Sequence, residues 1–223
     1  MSVADFYGRW AALYDRVATA PGVERWRRAA AERVARPGDT VVEMGCGTGA
    51  NLPYLQECVG PAGRVVGVDL AGPPLRWARD RAGRYGDDDV AVVRGDATDP
   101  PVAASAVDAV LGTFVCGLFD DPGDVVDRWC DLVGPGGRVA LMDATATEAA
   151  VGRPLVPLFR AFVAAGAPGS GPGDVLRAPF GRPDEPLSRR VAASRAALAD
   201  RTEARRYETF GLGFVGLLSG RVR

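Results

Sequence analysis

The stretch Thr40–Leu52, which reads TVVEMGCGTGANL, decides the fold of this chain. Residues Thr40–Glu43 are rich in β-branched side chains and predict a strand, and Asn51–Val59 predicts a helix with Pro53 near its start. The glycines between them let the backbone turn tightly and let a ligand approach closely. Amide groups at the start of the helix favour an anionic group. Read as G-x-G-x-x-A, the same loop also fits a dinucleotide site, so the loop alone leaves the ligand open.

The rest of the first two thirds of the chain alternates between strand and helix patterns. The predicted strands are Arg64–Asp69, Val90–Arg94, Val107–Leu111 and Arg138–Asp143, and the predicted helices are Pro74–Tyr85 and Asp124–Val133. Such alternation is typical of βαβ units, in which a crossover helix joins parallel strands. We therefore expect an α/β fold with a doubly wound, mostly parallel sheet.

The two ends of the chain differ from this core. The first 37 residues read as helical: Val23, Trp26, Ala30 and Val34 share one face, whereas Arg25, Arg27, Arg28 and Arg33 lie mostly off it. Such a basic helix packs on the domain or rests on a membrane surface. Residues 150–187 are rich in Gly and Pro, and a helix is predicted to follow as far as about Asp200. The runs Arg205–Phe210 and Gly213–Ser219 predict an antiparallel hairpin at the sheet edge.

These patterns give a single domain of four parts. They are an N-terminal helical cap (1–37), a ligand-binding core (38–145), an inserted segment (150–200) and a terminal hairpin (203–220). At 223 residues the chain can bury a large core as one domain.

Composition excludes several classes of function. The formal net charge is −1, which is not the basic footprint of a nucleic-acid-binding protein. The sequence contains no His and no Lys, which excludes His bases, His metal ligands, Schiff-base lysines and P-loop lysines. The four cysteines, Cys46, Cys58, Cys116 and Cys130, form no C-x-x-C pair, so no metal site is expected.

Targeting signals are also missing from the pattern. The N-terminus MSVADFYGRW lacks the layout of a signal peptide, and charged residues interrupt every apolar run before it reaches membrane-spanning length. We expect a reducing, cytoplasmic setting without a membrane span.

Two carboxylates follow predicted strands at positions suited to a ligand. Asp69 ends the second strand, twenty residues beyond Gly49, where a carboxylate can accept hydrogen bonds from ribose hydroxyls. Asp96 follows the third strand and could accept from an adenine amino group. Aspartate is also a common turn residue, which is the structural alternative for both positions.

Taken together, the motifs resemble those of class I S-adenosylmethionine-dependent methyltransferases. The resemblance covers roughly residues 5–145 and 203–220 and implies a Rossmann-like sheet closed by an antiparallel hairpin. It rests on the glycine loop, on Asp69, on Gly95-Asp96-Ala97, on the segment from Val107 to Val115, and on the turn Leu132–Gly137.

The resemblance implies S-adenosylmethionine as the cofactor and a role for each matching residue. The loop glycines would hold the methionine part, Asp69 the ribose and Asp96 the adenine, while Glu43 would orient the loop or the cofactor ammonium group. The full implied cofactor site is Glu43, Gly45, Gly47, Gly49, Asp69, Leu70, Asp96, Ala97, Thr113 and Phe114.

Within the family, the N-terminal pattern from Phe6 to Arg16 is similar to that of quinone-biosynthesis C-methyltransferases and phospholipid N-methyltransferases. There, aromatic residues close over the cofactor, a role that falls on Tyr7 or Tyr14 here; packing is the alternative. Phe114 or Tyr14 could stabilise the sulfonium charge, and Tyr14 is a candidate catalytic residue. Asp143, which ends the fifth strand, is the candidate general base, with a cap role as its alternative.

The predicted function is methyl transfer to a small, lipophilic acceptor: a quinol, a phenol or an amine. In the segment 150–187, Leu155, Phe159, Phe162 and Val163 could form an apolar wall for it or could cover the core. The rivals are an NAD(P)-dependent oxidoreductase, a catalytically silent partner subunit and a nucleic-acid methyltransferase. Peripheral membrane contact and the oligomeric state stay open.

Overall fold

The computed structural model describes residues 22–85, 89–103, 106–167 and 170–223. The strands are β1 (Thr40–Met44), β2 (Arg64–Asp69), β3 (Val90–Arg94), β4 (Ala109–Thr113), β5 (Arg138–Ala144), β6 (Thr202–Phe210) and β7 (Val215–Val222). The helices are α1 (Glu24–Val34), α2 (Leu52–Val59), α3 (Gly72–Ala82), α4 (Pro122–Val133), α5 (Val156–Ala165), α6 (Pro172–Arg177) and α7 (Glu185–Arg201). Short 3₁₀ turns cover Cys116–Leu118, Arg153–Leu155, Ala178–Phe180 and Gly211–Gly213.

These strands form one sheet in the order β3-β2-β1-β4-β5-β7-β6. The first five run parallel, and β7 pairs antiparallel with both β5 and β6. The α/β class, the mostly parallel sheet and the antiparallel close are therefore confirmed. β4 begins two residues later than predicted: its pairing with β1 starts at Ala109 opposite Val41, and the Asp108 carboxylate accepts the Thr40 amide.

Side chains on the two faces of the sheet enter two apolar cores. Alternation along β1 sends Val41 to the core under α1, α2 and α3, and sends Val42 and Met44 to the core under α4 and α7. The second core centres on Trp129, which is fully buried and whose indole donates to the Ala97 carbonyl at 2.8 Å. That bond ties α4 to the loop after β3.

Helix α1 differs from its predicted amphipathic pattern at one residue. Arg27, placed off the apolar face by the sequence pattern, is only 4% exposed, while Trp26 stacks on Phe210 with ring centroids 6.1 Å apart. Arg27 is buried because its guanidinium has a buried partner, Asn51, at the start of α2. The amphipathic pattern predicts the position of an arginine from its hydropathy alone, so it contains no information about a buried hydrogen-bond partner.

The structure divides the predicted inserted segment into two parts. Helix α7, which supplies residues 185–200 of that range, packs on the sheet with Val191, Ser194 and Leu198 fully buried. Residues 151–184, which include α5 and α6 and which we call the lobe, pack mainly on one another. None of the helices in the described ranges has the length and apolarity that a bilayer crossing needs.

Candidate active site

The candidate site lies at the carboxyl ends of the parallel strands, where the chain reverses direction across the sheet. β1 has β2 on one side and β4 on the other, and β2 continues to β3 while β4 continues to β5. Loops that leave β1 and β4 therefore diverge and open a crevice between them. A cavity of about 550 Å³ occupies this crevice.

Each glycine of the loop after β1 has its own reason to be a glycine. All three have positive φ: +69° at Gly45, +55° at Gly47 and +76° at Gly49. A Cβ on Gly45 would lie 2.5 Å from Val115, and one on Gly49 would meet both Leu52 and Ala78 at about 3 Å. A Cβ added to Gly47 would have no atom of the described residues within 4 Å, so this side of Gly47 is open to a ligand.

Gly49 therefore has a packing role in this structure. It holds α2 close to α3 and, unlike Gly45 and Gly47, it is not among the residues that line the cavity. The implied contact between Gly49 and the cofactor stays a prediction, although the neighbouring Ala50 does line the cavity.

Asp69 is braced by the loop it faces. Its two carboxylate oxygens accept the amides of Gly47 and Ala71, each at 2.8 Å. Burial raises the pKa of Asp69, and these two backbone hydrogen bonds oppose the rise. Each oxygen keeps further acceptor capacity on the cavity side, which suits a pair of vicinal hydroxyls.

Glu43 lies at the end of a buried polar network. The Asn51 amide donates to Glu43 Oε1 at 2.5 Å and to Thr113 Oγ1 at 2.9 Å, and Arg27 donates to Asn51 Oδ1 at 2.7 Å. Burial raises the pKa of Glu43 to about 7, against the hydrogen bond from Asn51 and the charge of Arg27.

The second carboxylate oxygen of Glu43 is left without a protein partner. Oε2 is buried, accepts no hydrogen bond from any described residue, and belongs to a side chain that lines the cavity. A buried acceptor of this kind indicates a missing donor. A cationic donor would also lower the cost of the buried charge.

Residues after β3 and β4 complete the walls. Asp96 and Ala97 line the cavity, and Asp96 also accepts the Thr98 amide and hydroxyl at 2.8 Å each, so it closes a turn as well as facing the crevice. Thr113 and Phe114 line the opposite side, and Phe114 has a positive φ of 56°, which is strained for a large side chain. Leu70 lies half-exposed at the mouth.

The far part of the cavity has an apolar wall and an acidic rim. Val115, Leu118 and Phe119 form the wall around the 3₁₀ turn after β4. Three aspartates and one arginine stand at the rim: Asp120, Asp121, Asp124 and Arg128.

Of the two predicted catalytic residues, only Asp143 lies in the described part of the chain, and it is not among the residues that line this cavity. Asp143 is 2% exposed and lies behind the 3₁₀ turn, with Cys116 and Arg195 as its neighbours, on the α4–α7 side of the sheet. The alternation along β5 turns Asp143 to the same side of the sheet as Leu141. Tyr14, like the alternative Tyr7, lies outside the described residues.

The predicted apolar wall of the inserted segment also lies elsewhere. Phe159 packs against Phe214 with ring centroids 5.2 Å apart, and Leu155 and Phe162 are exposed. None of these three is among the residues that line the cavity.

Two functional candidates are absent from the sequence prediction. Asn51 is the one asparagine of the chain and stands where the loop enters α2, a signal that could have singled it out. Arg27 stands in a run of arginines, so no sequence feature distinguishes it before the fold brings it to Asn51.

Part of the chain is similar to known methyltransferases. Residues 42–141 match the family described as "Methyltransferase domain". The chain is 37% identical over 139 residues to nocamycin O-methyltransferase of Saccharothrix syringae, a match that covers 60% of this chain and 48% of that protein. It is 33% identical over 147 residues to 2-phytyl-1,4-naphtoquinone methyltransferase of Thermosynechococcus vestitus, which covers 64% of each.

The match thus spans less than two thirds of the length of either relative. Among solved structures, an S-adenosylmethionine-dependent methyltransferase from Aquifex aeolicus superimposes with a TM-score of 0.59 at 18% identity, covering 90% of this chain and 89% of that one. This likeness concerns the fold. The cofactor that the matched family implies is S-adenosylmethionine.

Proposed function

We propose that this chain, whose residues 42–141 belong to the methyltransferase domain family, transfers a methyl group from S-adenosylmethionine to a small, lipophilic acceptor. The main support is a pair of carboxylates, the buried Glu43 and the half-buried Asp69, on the two sides of a glycine loop that Gly47 leaves open to a ligand. The acceptor classes we favour are quinols, phenols and amines.

The described residues fit the cofactor on two independent grounds. Glu43 has a buried oxygen without a partner, and the α-ammonium group of the cofactor would supply a donor to it. The open side of Gly47 would admit the methionine part, because a side chain there would occupy the space. Asp69 would accept from the ribose hydroxyls, and Asp96 with Ala97 would meet the adenine.

Bound S-adenosylmethionine supplies an electrophilic methyl group on a sulfonium sulfur. The protein then has to orient the acceptor in line with that methyl group and keep water away. Phe114, whose strained backbone holds it at the cavity wall, would shield the charged centre. The apolar wall of Val115, Leu118 and Phe119 would hold the acceptor.

The acceptor class rests on that wall and on the names of the relatives. A naphthoquinone derivative and nocamycin appear in the names of two methyltransferases that this chain resembles. Both names point to sizeable organic molecules, which agrees with an apolar wall.

If the acceptor must lose a proton during methyl transfer, groups at the rim of the cavity would remove it. Asp143, our candidate base from the sequence, lies behind the turn, whereas Asp121 and Asp124 line the cavity. We therefore place base catalysis, where the acceptor requires it, on a rim carboxylate or on Tyr14. An amine that enters neutral requires orientation only.

Calorimetric titration tests the cofactor first. We expect S-adenosylmethionine and S-adenosylhomocysteine to bind and NAD not to bind. Asp69→Asn should weaken the binding of both S-adenosyl compounds by about 1.5–3 kcal/mol, roughly 10- to 150-fold in the dissociation constant, because hydrogen bonds to a charged carboxylate are lost. The matched control Asp80→Asn changes an exposed aspartate of α3 and should leave binding unchanged.

Binding of NAD alone would favour the oxidoreductase instead, and unchanged affinity in folded Asp69→Asn would refute the ribose assignment. Once cofactor binding is established, protein with methyl-labelled cofactor is incubated with quinols, phenols and amines. Label in an organic product identifies the acceptor. Tight cofactor binding with no labelled product from any class would favour the silent-subunit alternative.

A further inference from the structure

The lobe formed by residues 151–184 presents apolar side chains to solvent. Leu155, Leu158 and Phe162 follow one another at helical spacing through the 3₁₀ turn into α5, and all three are exposed, Phe162 at 57%. Val151 precedes this stripe, and Leu176 and Phe180 add exposed side chains from α6 and the turn after it. Phe180 is 93% exposed.

This exposure is concentrated in one part of the molecule. Six of the eleven large apolar side chains that are exposed among the described residues belong to the lobe. Isolated exposed apolar residues are ordinary, but a cluster of them marks an interaction surface.

The charge of the lobe differs in sign from that of the rest of the chain. Residues 151–184 contain four arginines and two aspartates, a net charge of +2, whereas the whole chain has −1 and the remainder therefore −3. Arg160 pairs with the buried Asp184, and Asp174 accepts the Gly171 amide inside the lobe.

Three arginines remain at the surface of the lobe. Arg153, Arg177 and Arg182 are exposed, and none of them pairs with a carboxylate in the described parts of the chain. Arg153 stands at the start of the apolar stripe, and Arg177 and Arg182 line a groove beside the last turn of α5. Basic side chains thus stand at both ends of α5.

We propose that the lobe binds the surface of an anionic lipid bilayer, with the α5 stripe inserted among the acyl chains near the headgroups. A short apolar stripe flanked by arginines is what an interfacial segment requires, because the apolar side chains enter the bilayer while the guanidinium groups reach the lipid phosphates. The net positive lobe on a net negative chain orients that contact. The proposal rests on this surface and not on methyl transfer.

Vesicle co-sedimentation of the full chain tests the proposal. We expect binding to vesicles of phosphatidylcholine with phosphatidylglycerol, and at least tenfold weaker binding to phosphatidylcholine alone. Raising the salt from about 0.1 M to 1 M should weaken binding to the anionic vesicles, because the Debye length shortens from about 10 Å to 3 Å. Equal binding to both kinds of vesicle, or to neither, would overturn it.

Matched variants locate the surface. Phe162→Asp should reduce vesicle binding at least tenfold, and Arg153→Gln with Arg177→Gln should reduce it severalfold. Trp77→Asp and the pair Arg64→Gln with Arg76→Gln alter exposed residues of the same types outside the lobe and should have little effect.

The remaining outcomes are also decisive. A concentration-dependent dimer in sedimentation velocity that Phe162→Asp abolishes would assign the surface to a second copy and refute the lipid proposal. S-adenosylmethionine binding, measured by calorimetry on the same variants, should be unchanged, since none of these residues lines the cavity. Loss of vesicle binding and loss of cofactor binding are therefore separate failures.

Discussion

At the scale of single residues, Glu43 lowers the stability of the ligand-free fold and offers a hydrogen-bond acceptor to a ligand. Its side chain is buried at the end of β1, one oxygen is held by Asn51, and the other has no partner among the described residues. A buried carboxylate without full hydrogen bonding destabilises the fold unless it takes up a proton or a ligand. The site thus has a place for a hydrogen-bond donor that the described residues do not supply.

This arrangement predicts a pH dependence of stability. Because burial raises the pKa of Glu43 from 4.5 to about 7, the folded state binds a proton more tightly than the unfolded state does. The contribution of Glu43 protonation to the free energy of unfolding is full below the pKa of Glu43 in the unfolded chain, and it is lost as the pH rises through 7. The ligand-free protein should lose on the order of 2 kcal/mol from this group between pH 5.5 and 8.

Thermal unfolding of Glu43→Gln checks this expectation. The variant should lose less stability than the parent over the same pH range, while its S-adenosylmethionine binding weakens because the neutral amide no longer attracts the ammonium group. Glu148→Gln, at an exposed glutamate, should follow the parent. Buried Asp143 has a pKa raised to about 6 and adds a trend of the same sign to all three proteins. Parallel pH profiles for the parent and Glu43→Gln would contradict the assignment.

At the scale of elements, glycines in the loop between β1 and α2 serve two purposes: they allow close packing, and they leave space for a ligand. Gly45 and Gly49 are glycines because neighbouring atoms leave no room for a Cβ, at Val115 and at Ala78 respectively. Gly47 has that room, and its amide instead orients Asp69. Arg81 of α3 also stabilises this loop, because its guanidinium donates a hydrogen bond to the Thr48 carbonyl. The loop is therefore fixed before a ligand arrives.

Glycine-to-alanine substitutions should separate the two tasks. Gly49→Ala should cost about 2–3 kcal/mol of stability, because the positive φ strains an alanine and its Cβ meets α3 backbone. Gly47→Ala should lower the stability by only about 1 kcal/mol. It should weaken the binding of S-adenosylmethionine at least tenfold, because the new methyl group would enter the cavity. Chemical denaturation and calorimetry measure the two quantities.

Gly60→Ala is the matched control for Gly47→Ala. Gly60 has a φ of +67°, has no atom within 4 Å of an added Cβ, and ends α2 away from the cavity. Its alanine variant should lose a similar amount of stability and keep full cofactor affinity. Equal affinity losses in the two variants would mean that Gly47 acts through loop strain and not through contact.

At the scale of the whole molecule, the topology sets where ligands can bind. The order β3-β2-β1-β4-β5-β7-β6 puts β1 and β4 side by side near the centre of the sheet, and the crevice lies at their carboxyl ends. A ligand in that crevice contacts loops from β1, β2, β3 and β4 at once. Its binding free energy should therefore stabilise the whole sheet.

Ligand binding should consequently raise the melting temperature of the entire domain. S-adenosylhomocysteine at about 100 times its dissociation constant contributes roughly 2.7 kcal/mol, which corresponds to roughly 5–10 °C for a chain of this length. Differential scanning calorimetry measures the shift. NAD at the same concentration should produce none, and the Asp69→Asn protein should show a smaller shift with S-adenosylhomocysteine. A transition that moves in only one part of the thermogram would contradict a single cooperative unit.

The sequence by itself determined the class of the fold and the loop at which we propose that the cofactor binds. Both depend on local chemistry: β-branched runs form strands, glycines permit positive φ at 45, 47 and 49, and an acid at a strand end meets the loop beside it. Strand boundaries were predicted to within about two residues in the parallel core, where each pattern is strong, and less closely in the terminal hairpin.

Only the tertiary structure decided how distant residues share the site. Arg27 reaches Asn51 across 24 positions and Asn51 reaches Thr113 across 62, and no local pattern contains either contact. The pleat of β5 turns Asp143 to the α4–α7 side of the sheet, where it does not line the cavity, and α7 buries Val191 and Leu198 in the domain. The physical reason is the same in each case: burial and long-range hydrogen bonding depend on which elements meet, whereas turn and strand preferences belong to the residues themselves.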